Sequence, residues 1–289
     1  MARYGKTELI LVDNGSTDGT WEWLSQEYQG RARLLQRSGV TISALRNLGA
    51  SAATGEYVSF VDSDCLVPPD YYESMADVFA TVRTDVAGCM YGLPEDVHWI
   101  EEAWTLLNCP VREGSATLLP GGSMAVWRSA LEAVGGFDET LITGEDAELC
   151  QRLLDAGYRI FETRRLTLVH LRNTSSLTSF FRRQAWQSLG MFGTARSWRL
   201  DRVILMTVAQ LVMTVAALGC LLADFGTIVA RVSVALAIVL AVPTLTVAYR
   251  VLARGGALLP VRSLVLYTVY YYARIWGLFK IIAGTRRWV

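Results

Sequence analysis

Two short apolar runs of this chain each end in acidic residues, and this pattern limits the possible folds more than any other. Residues 8–11 read ELIL and lead into Asp13, and residues Tyr57–Val61 read YVSFV and lead into Asp62 and Asp64. Apolar runs of this length are typical of buried parallel strands. Because ligands bind outside the carboxyl ends of the strands in an open α/β sheet, the sequence predicts that both acidic turns face one crevice.

The second acidic turn, VDSD, carries Asp62 and Asp64 one residue apart. Two carboxylates at this spacing can bind a divalent cation through their oxygen atoms, and the cation can in turn bind a diphosphate. The turn therefore predicts Mg²⁺ or Mn²⁺ as cofactor and a nucleotide diphosphate as ligand. An Asp-x-Asp turn by itself is more often a solvated surface turn, so this interpretation depends on the motifs that accompany it.

Further motifs follow in the order that a single site requires. Residues 12–20 read VDNGSTDGT, residues 45–49 read LRNLG and residues 135–146 read GGFDETLITGED. The last motif ends in an acidic pair before a predicted helix, where such a pair also simply complements the helix dipole. Arg46 in LRNLG could likewise be an ordinary helix-surface charge. The joint occurrence of the motifs favours one functional site over separate structural explanations.

On these motifs the chain resembles the family 2 glycosyltransferases, which are inverting enzymes that use nucleotide sugars. The resemblance extends from Glu8 to about Gly193. It implies the GT-A fold, an α/β Rossmann-like domain that binds the nucleotide sugar between the carboxyl ends of its strands. In that family the residues that match Asp13 and Arg46 contact the nucleotide.

The same resemblance implies the metal and the catalytic residues. The residue matching Asp62 lies near the ribose and the metal, and the residue matching Asp64 ligates the metal. Glu145 and Asp146 match the family's Glu-Asp pair, in which the residue matching Asp146 is the catalytic base. His170 ends the apolar run LTLVH, where it could complete the metal shell or contact the diphosphate. A buried, hydrogen-bonded imidazole is the alternative for this histidine.

The start of the chain departs from the family pattern. Members normally have an additional strand and turn before the position of Glu8, whereas seven residues precede Glu8 here. We therefore expect residues 1–195 to form a GT-A domain that lacks its first strand, with an unpaired edge beside the strand that ends at Asp13. Two classes of function follow: an active transferase, or a catalytically inactive homologue that acts in membrane binding or assembly.

The middle of the chain carries two less specific patterns. Residues His98–Asn108 (HWIEEAWTLLN) predict an amphipathic helix. Three roles are open to its Trp99 and Trp104: stacking on a sugar, contact with lipid, or packing in a hydrophobic core. Gly121 and Gly122 in LLPGGSMAVWR either allow the backbone to approach the substrate or form a turn.

Apolar segments near the C-terminus predict a membrane region over residues 196–289. The chain is 52% hydrophobic, and the uncharged run Val203–Ala223 is long enough to cross a bilayer. Val232–Tyr249 is a second candidate span. The third segment, Leu264–Ile282, contains Arg274 and Lys280 and is either a third span or an interfacial helix. A buried helical domain of a soluble protein is the alternative for the whole region.

Charge asymmetry orients the predicted spans. Only Asp224 and Arg231 lie between the first two, whereas several arginines lie on the other side. These are Arg196, Arg199, Arg202, Arg250, Arg254 and Arg262. By the positive-inside rule the catalytic domain is cytoplasmic, in a multi-pass protein of the cell inner membrane or plasma membrane. The net charge of +0 argues against nucleic acid as a partner.

Together these patterns predict a metal-dependent, hexosyltransferase-type enzyme in the lipid bilayer. Its donor is a nucleotide diphosphate sugar, and its acceptor is a cell-surface glycan or a lipid-linked molecule. The sugar, the nucleotide and the linkage are not specified by any of the motifs.

Overall fold

A computed structural model describes residues 7–109, 111–171, 174–193, 202–254 and 260–284. The described residues form two compact units: 7–94 and 111–171 in the first, and 95–109 with everything from 174 onward in the second. The predicted domain boundary at residue 195 lies outside the described residues, as do Arg196 and Arg199, and the boundary stays a prediction.

Helices and strands alternate through the first unit, with one helix of the second unit between them in the chain. The order is β1 (Ile10–Asp13), α1 (Thr20–Glu27), β2 (Arg33–Gln36), α2 (Ile42–Ala52), β3 (Tyr57–Val61), β4 (Cys65–Leu66), α3 (Tyr71–Thr81), β5 (Val86–Gly88), α4 (Trp99–Asn108), β6 (Gly114–Ser115), β7 (Ser123–Trp127), α5 (Arg128–Ala133), α6 (Glu145–Asp155), β8 (Ile160–Glu162), a 3₁₀ turn (Arg164–Leu166) and β9 (Val169–His170). The helices α7 (Leu177–Gly193), α8 (Arg202–Leu222), α9 (Ile228–Arg254) and α10 (Pro260–Ile282) follow.

The strands of the first unit form three sheets. A five-stranded sheet has the order β3-β7-β5-β8-β6, in which β7 is antiparallel to both β3 and β5, and β5 is parallel to β8. β1 and β2 form a parallel pair, and β4 and β9 form an antiparallel pair. The two strands that the sequence predicts before the acidic turns are present as β1 and β3. β1 is parallel to β2 as predicted, whereas the parallel pairing predicted for β3 is wrong, because its neighbour β7 runs in the opposite direction between β3 and β5. The architecture is therefore mixed α/β.

Side-chain alternation along β3 places apolar groups on both faces of the five-stranded sheet. Val58 and Phe60 belong to a core that includes Leu149 and Leu153 of α6. Tyr57 points to the opposite core, where its ring stacks on Phe79 of α3 with the centroids 4.5 Å apart. Because both faces are covered, the strands are held rigidly and their carboxyl ends have fixed positions.

The second unit is helical. α8 and α9 are confirmed as helices that are long and apolar enough to cross a membrane, and most of their side chains are exposed. α10 buries one face, which includes Tyr270 and Arg274, and the Arg274 guanidinium donates to Gln184 of α7 at 3.3 Å. Among the described helices, α8 and α9 meet the length and hydropathy requirement for a span and α10 does not.

The amphipathic helix predicted at residues 98–108 is confirmed as α4. Trp104 of this helix packs against Phe180 at 5.0 Å and against Tyr270 at 5.1 Å between ring centroids. Of the roles considered for this tryptophan, the structure supports a place in the core of the second unit.

Candidate active site

Arg46 connects two of the predicted motifs. It lies on α2, and its guanidinium donates to Asp62 Oδ1 at 3.0 Å and to Glu145 Oε1 at 2.7 Å. Only 10% of the Arg46 side chain is exposed, so it is not a helix-surface charge. Burial opposes ionisation of the guanidinium, but the charges of Asp62 and Glu145 outweigh this effect and raise the pKa of Arg46. The cation therefore joins the acidic turn after β3 to the start of α6.

Asp62 is held through both carboxylate oxygens. Oδ1 accepts from Arg46, and Oδ2 accepts from the Tyr91 hydroxyl at 2.8 Å. Burial, followed by the charge of Asp62, raises the pKa of Tyr91, so this phenol stays protonated and donates at physiological pH. The Asp62 side chain is 30% exposed, which leaves part of it open to a ligand.

Gly121 and Gly122 bring the backbone against these charged side chains. A Cβ atom on Gly122 would lie 2.0 Å from Asp62 Cγ, and one on Gly121 would lie 2.4 Å from an Arg46 nitrogen. The segment turns here, since Ser123 N donates to Pro120 O at 3.0 Å. The structure supports the turn, and the close approach that it shows is to Arg46 and Asp62; an approach of this backbone to the substrate stays a prediction.

Asp146 lies in the first turn of α6, next to Glu145. Its Oδ1 accepts from Ala147 N at 2.8 Å, and its Oδ2 accepts from Gly121 N at 3.4 Å. Burial and the neighbouring charge of Glu145 raise the pKa of Asp146, although these hydrogen bonds and Arg46 oppose the shift. A carboxylate with a raised pKa is a stronger base than an ordinary aspartate, which suits proton abstraction.

Asn47, beside Arg46 on α2, fixes the turn that leads to α6. Its amide nitrogen donates to Phe137 O at 2.8 Å, and its Oδ1 accepts from Phe137 N at 2.8 Å. The turn needs glycine at 136, where φ is +73° and a Cβ atom would lie 2.6 Å from Asn47 Oδ1. The motif LRNLG therefore contacts the segment 135–146 through the Asn47 side chain on the Phe137 backbone and through the ion pair of Arg46 with Glu145.

Asp13 ends β1 and organises the loop that follows it. Oδ2 accepts from Gly15 N at 2.8 Å, Ser16 N at 2.9 Å and Gln36 Nε2 at 2.9 Å, and Oδ1 accepts from the Ser16 hydroxyl. Burial opposes ionisation, but these hydrogen bonds outweigh it and lower the pKa of Asp13 to about 2. The side chain is only 6% exposed, so this aspartate stabilises the loop whether or not it contacts a ligand.

Asp64 and His170 form a separate pair. Asp64 Oδ2 lies 3.5 Å from His170 Nε2, and the pairing of β4 with β9 positions the histidine. Imidazole is a common metal ligand, and carboxylate oxygens suit Mg²⁺ and Mn²⁺, so this pair fits a divalent cation. In the described part of the chain, no three His, Cys, Asp or Glu side chains are grouped to hold a metal. Diphosphate oxygens and water would supply the other ligands.

The structure thus brings together Arg46, Asp62, Glu145 and, through Gly121, Asp146. Two residues of the site were missed by the sequence interpretation. Asn47 was quoted within LRNLG without a role. Tyr91 follows the apolar run 86–90, and its position after a strand is the one sequence signal that could have identified it.

Sequence comparison matches this chain to described families. Residues 2–132 match Glycosyl transferase family 2, and residues 109–174 match the N-terminal domain of galactosyltransferase. Both matched segments lie in the part of the chain that contains the site residues.

Curated relatives are glycosyltransferases and polysaccharide biosynthesis proteins. Pre-mycofactocin glycosyltransferase of Mycobacterium tuberculosis is 33% identical over 129 residues, which is 41% of this chain and 27% of that protein. Succinoglycan biosynthesis protein ExoA of Rhizobium meliloti is 29% identical over 206 residues, which is 65% of this chain and 59% of that protein. The chain thus spans between 27% and 59% of the length of these two relatives.

A solved structure shows the same fold. Mannosyltransferase PcManGT from Pyrobaculum calidifontis, in complex with GDP-Man and Mn²⁺, superposes with a TM-score of 0.60 and 20% sequence identity. The superposition covers 96% of this chain and 79% of that one. The mixed α/β architecture is therefore GT-A-like, and the match over residues 2–132 together with the glycosyltransferase relatives supports assignment to the family 2 glycosyltransferases.

Proposed function

We propose that this protein is an inverting glycosyltransferase that moves a sugar from a nucleotide diphosphate sugar to a glycan or lipid-linked acceptor. The observation that carries the proposal is the buried cation of Arg46, which ties the VDSD turn to the Glu145–Asp146 pair. One guanidinium thus fixes a predicted donor-binding carboxylate and the neighbour of the predicted base. The similarity to ExoA, a succinoglycan biosynthesis protein, supports a glycan product.

Inversion needs one general base on the acceptor side of the sugar. Asp146 accepts the proton of the acceptor hydroxyl while that oxygen forms its bond to the anomeric carbon. The bond from the anomeric carbon to the diphosphate oxygen breaks, and the nucleoside diphosphate leaves with the electron pair. The raised pKa of Asp146 supports this role, because it brings the base closer to the pH at which the enzyme works.

The other predicted residues bind the donor. Asp13 and Arg46 serve the nucleotide, and Asp62 and Asp64 serve the ribose and diphosphate. Asp64 and His170 would hold Mg²⁺ or Mn²⁺, with Asp62 nearby in the turn, and such a cation would supply positive charge to offset the negative charge of the diphosphate. The solved relative PcManGT, whose complex contains GDP-Man and Mn²⁺, supports this choice of ligands.

The proposed location is the cytoplasmic face of a cell membrane. α8 and α9 are long and apolar enough to anchor the protein, and they expose apolar side chains such as Val212, Val215 and Leu236. Arginine asymmetry supports a cytoplasmic catalytic unit. A membrane-impermeant thiol reagent on intact cells should label a cysteine placed at Asp224 and spare one placed at Arg250. Labelling at Arg250 alone would reverse the orientation.

The enzyme proposal is tested with Asp146→Asn in the full chain, purified in detergent. Wild-type protein with Mn²⁺ should release nucleoside diphosphate from at least one nucleotide sugar of a panel. The variant should lose about 10² to 10⁴-fold in turnover, because a general base contributes a factor of this size. Its affinity for the nucleoside diphosphate should stay within a few fold of wild type.

A matched control lies on the same helix. Asp155→Asn makes the same chemical change at the exposed end of α6, where the carboxylate accepts from Gln151, and it should keep wild-type turnover. Equal loss in both variants would show that α6 is merely disturbed. Wild-type protein that binds nucleoside diphosphate but turns over no donor would indicate the inactive homologue instead.

A further inference from the structure

Tyr91 contacts Asp62 of the VDSD turn and also His170, the partner of Asp64. Its hydroxyl donates to Asp62 Oδ2 at 2.8 Å, and its ring lies 5.0 Å from the imidazole of His170, between centroids. His170 in turn lies against Asp64. This tyrosine thus contacts one member of each pair: His170 of the pair Asp64–His170 and Asp62 of the pair Asp62–Arg46.

The backbone holds Tyr91 firmly in this place. The next residue, Gly92, donates its N–H to Leu168 O at 2.8 Å and accepts from His170 N at 3.2 Å. A Cβ atom on Gly92 would lie 3.0 Å from a Thr167 methyl, so the chain runs close to the strand that carries His170. Strand pairing thus sets the backbone position from which the phenol reaches Asp62.

We propose that Tyr91 is a positioning residue of the donor site, which sets the rotation of the Asp62 carboxylate and so keeps Oδ1 on Arg46. This inference rests on the proposed function, because it assigns Asp62 and Arg46 to nucleotide binding. A carboxylate held from one side only can turn its second oxygen away from Arg46, and the guanidinium then loses one of its two anionic partners. Tyr91 touches neither Asp146 nor its hydrogen-bonding partners among the contacts described for the site.

The test is Tyr91→Phe, which removes the hydroxyl and keeps the ring against His170. A hydrogen bond to a charged group is stronger than one between neutral groups, so its loss should weaken binding of GDP or UDP about tenfold to a hundredfold. The KM for the donor should rise by a similar factor, whereas kcat should stay within about threefold, because the base is untouched.

Tyr71→Phe is the matched control. Tyr71 is fully buried, and its hydroxyl is hydrogen-bonded to the neutral Ser59 hydroxyl at 3.1 Å, in the same unit. This variant should lower the melting temperature slightly and leave nucleotide affinity unchanged. Wild-type affinity in Tyr91→Phe would overturn the inference, and so would an equal loss of affinity in Tyr71→Phe. If wild-type protein itself binds neither GDP nor UDP, the proposed function fails first and this inference fails with it.

Discussion

Replacing Arg46 by methionine should destabilise the first unit more than replacing any surface arginine. The substitution keeps an apolar stem of similar length but leaves Glu145 and Asp62 without their cation. Removing one partner of a buried ion pair costs about 3 to 5 kcal/mol, because the remaining charge stays buried and unpaired. Glu145, with 10% of its side chain exposed, carries most of this cost, whereas water reaches Asp62, which is 30% exposed.

The lower end of that range is therefore expected, about 3 kcal/mol. For a unit of this size, each kcal/mol shifts the melting temperature by about 2 to 4 °C, so we expect a fall of roughly 6 to 12 °C. The assay is tryptophan fluorescence during thermal melting of the full chain in detergent. Arg165→Met is the control, since its ion pair with Asp77 is half exposed and contributes at most about 1 kcal/mol.

A second substitution separates the unpaired charge from lost packing. In the double variant Arg46→Met, Glu145→Gln, the neutral amide replaces the unpaired carboxylate. About half of the fall in melting temperature caused by Arg46→Met should therefore be recovered. The reasoning is refuted if Arg46→Met melts within 2 °C of Arg165→Met, on the order of experimental error for shifts of this size. The reasoning is also refuted if Glu145→Gln does not raise the melting temperature of the Arg46→Met variant.

Three further predictions concern the same unit. Gly122→Ala should displace the Asp62 carboxylate, whose Cγ would lie 2.0 Å from the added Cβ, and should weaken nucleotide affinity at least about tenfold. The control is Gly219→Ala, because an added Cβ there meets no atom within 4 Å and should leave the affinity unchanged. Asp13 has its pKa lowered from 3.8 to about 2, so its stabilisation, up to about 2 kcal/mol, is complete above pH 3.8 and disappears as pH falls towards 2. Asp13→Asn should therefore melt well below wild type at pH 7, and the gap should narrow at pH 3. Mn²⁺ should strengthen nucleoside diphosphate binding by wild type and not by Asp64→Asn, and an unchanged metal response in that variant would place the cation elsewhere.

Local sequence patterns were sufficient to predict the main elements. The apolar runs before Asp13 and Asp62 are strands, and the acidic pair Glu145–Asp146 begins a helix. These features depend on neighbouring residues along the chain: apolar length, period and flanking acids. The membrane-like segments were predicted for the same reason, because a long apolar run is a property of sequence alone.

Side-chain partners could not be predicted in this way. The sequence predicted that Asp62, Asp64 and His170 lie near one metal, but it did not indicate that Asp62 accepts hydrogen bonds from Arg46 and Tyr91. Asp62 and Asp64 lie in a turn in which Cys65 N donates to Asp62 O at 3.1 Å, so the alternation of a strand does not set their directions. Which partner each one meets depends on segments far away in the chain.

The sequence by itself thus determined the resemblance to the family 2 glycosyltransferases, the α/β class and the set of charged residues from which a site can be built, because ordered motifs and periodicity contain that information. Only the tertiary structure decided that Arg46 is buried between Asp62 and Glu145, that Gly121 and Gly122 make room for these side chains, and that Tyr91 belongs to the site. The physical reason is that a buried charge must find its counter-charge in three dimensions, and strand pairing and helix packing fix which groups come within hydrogen-bonding distance.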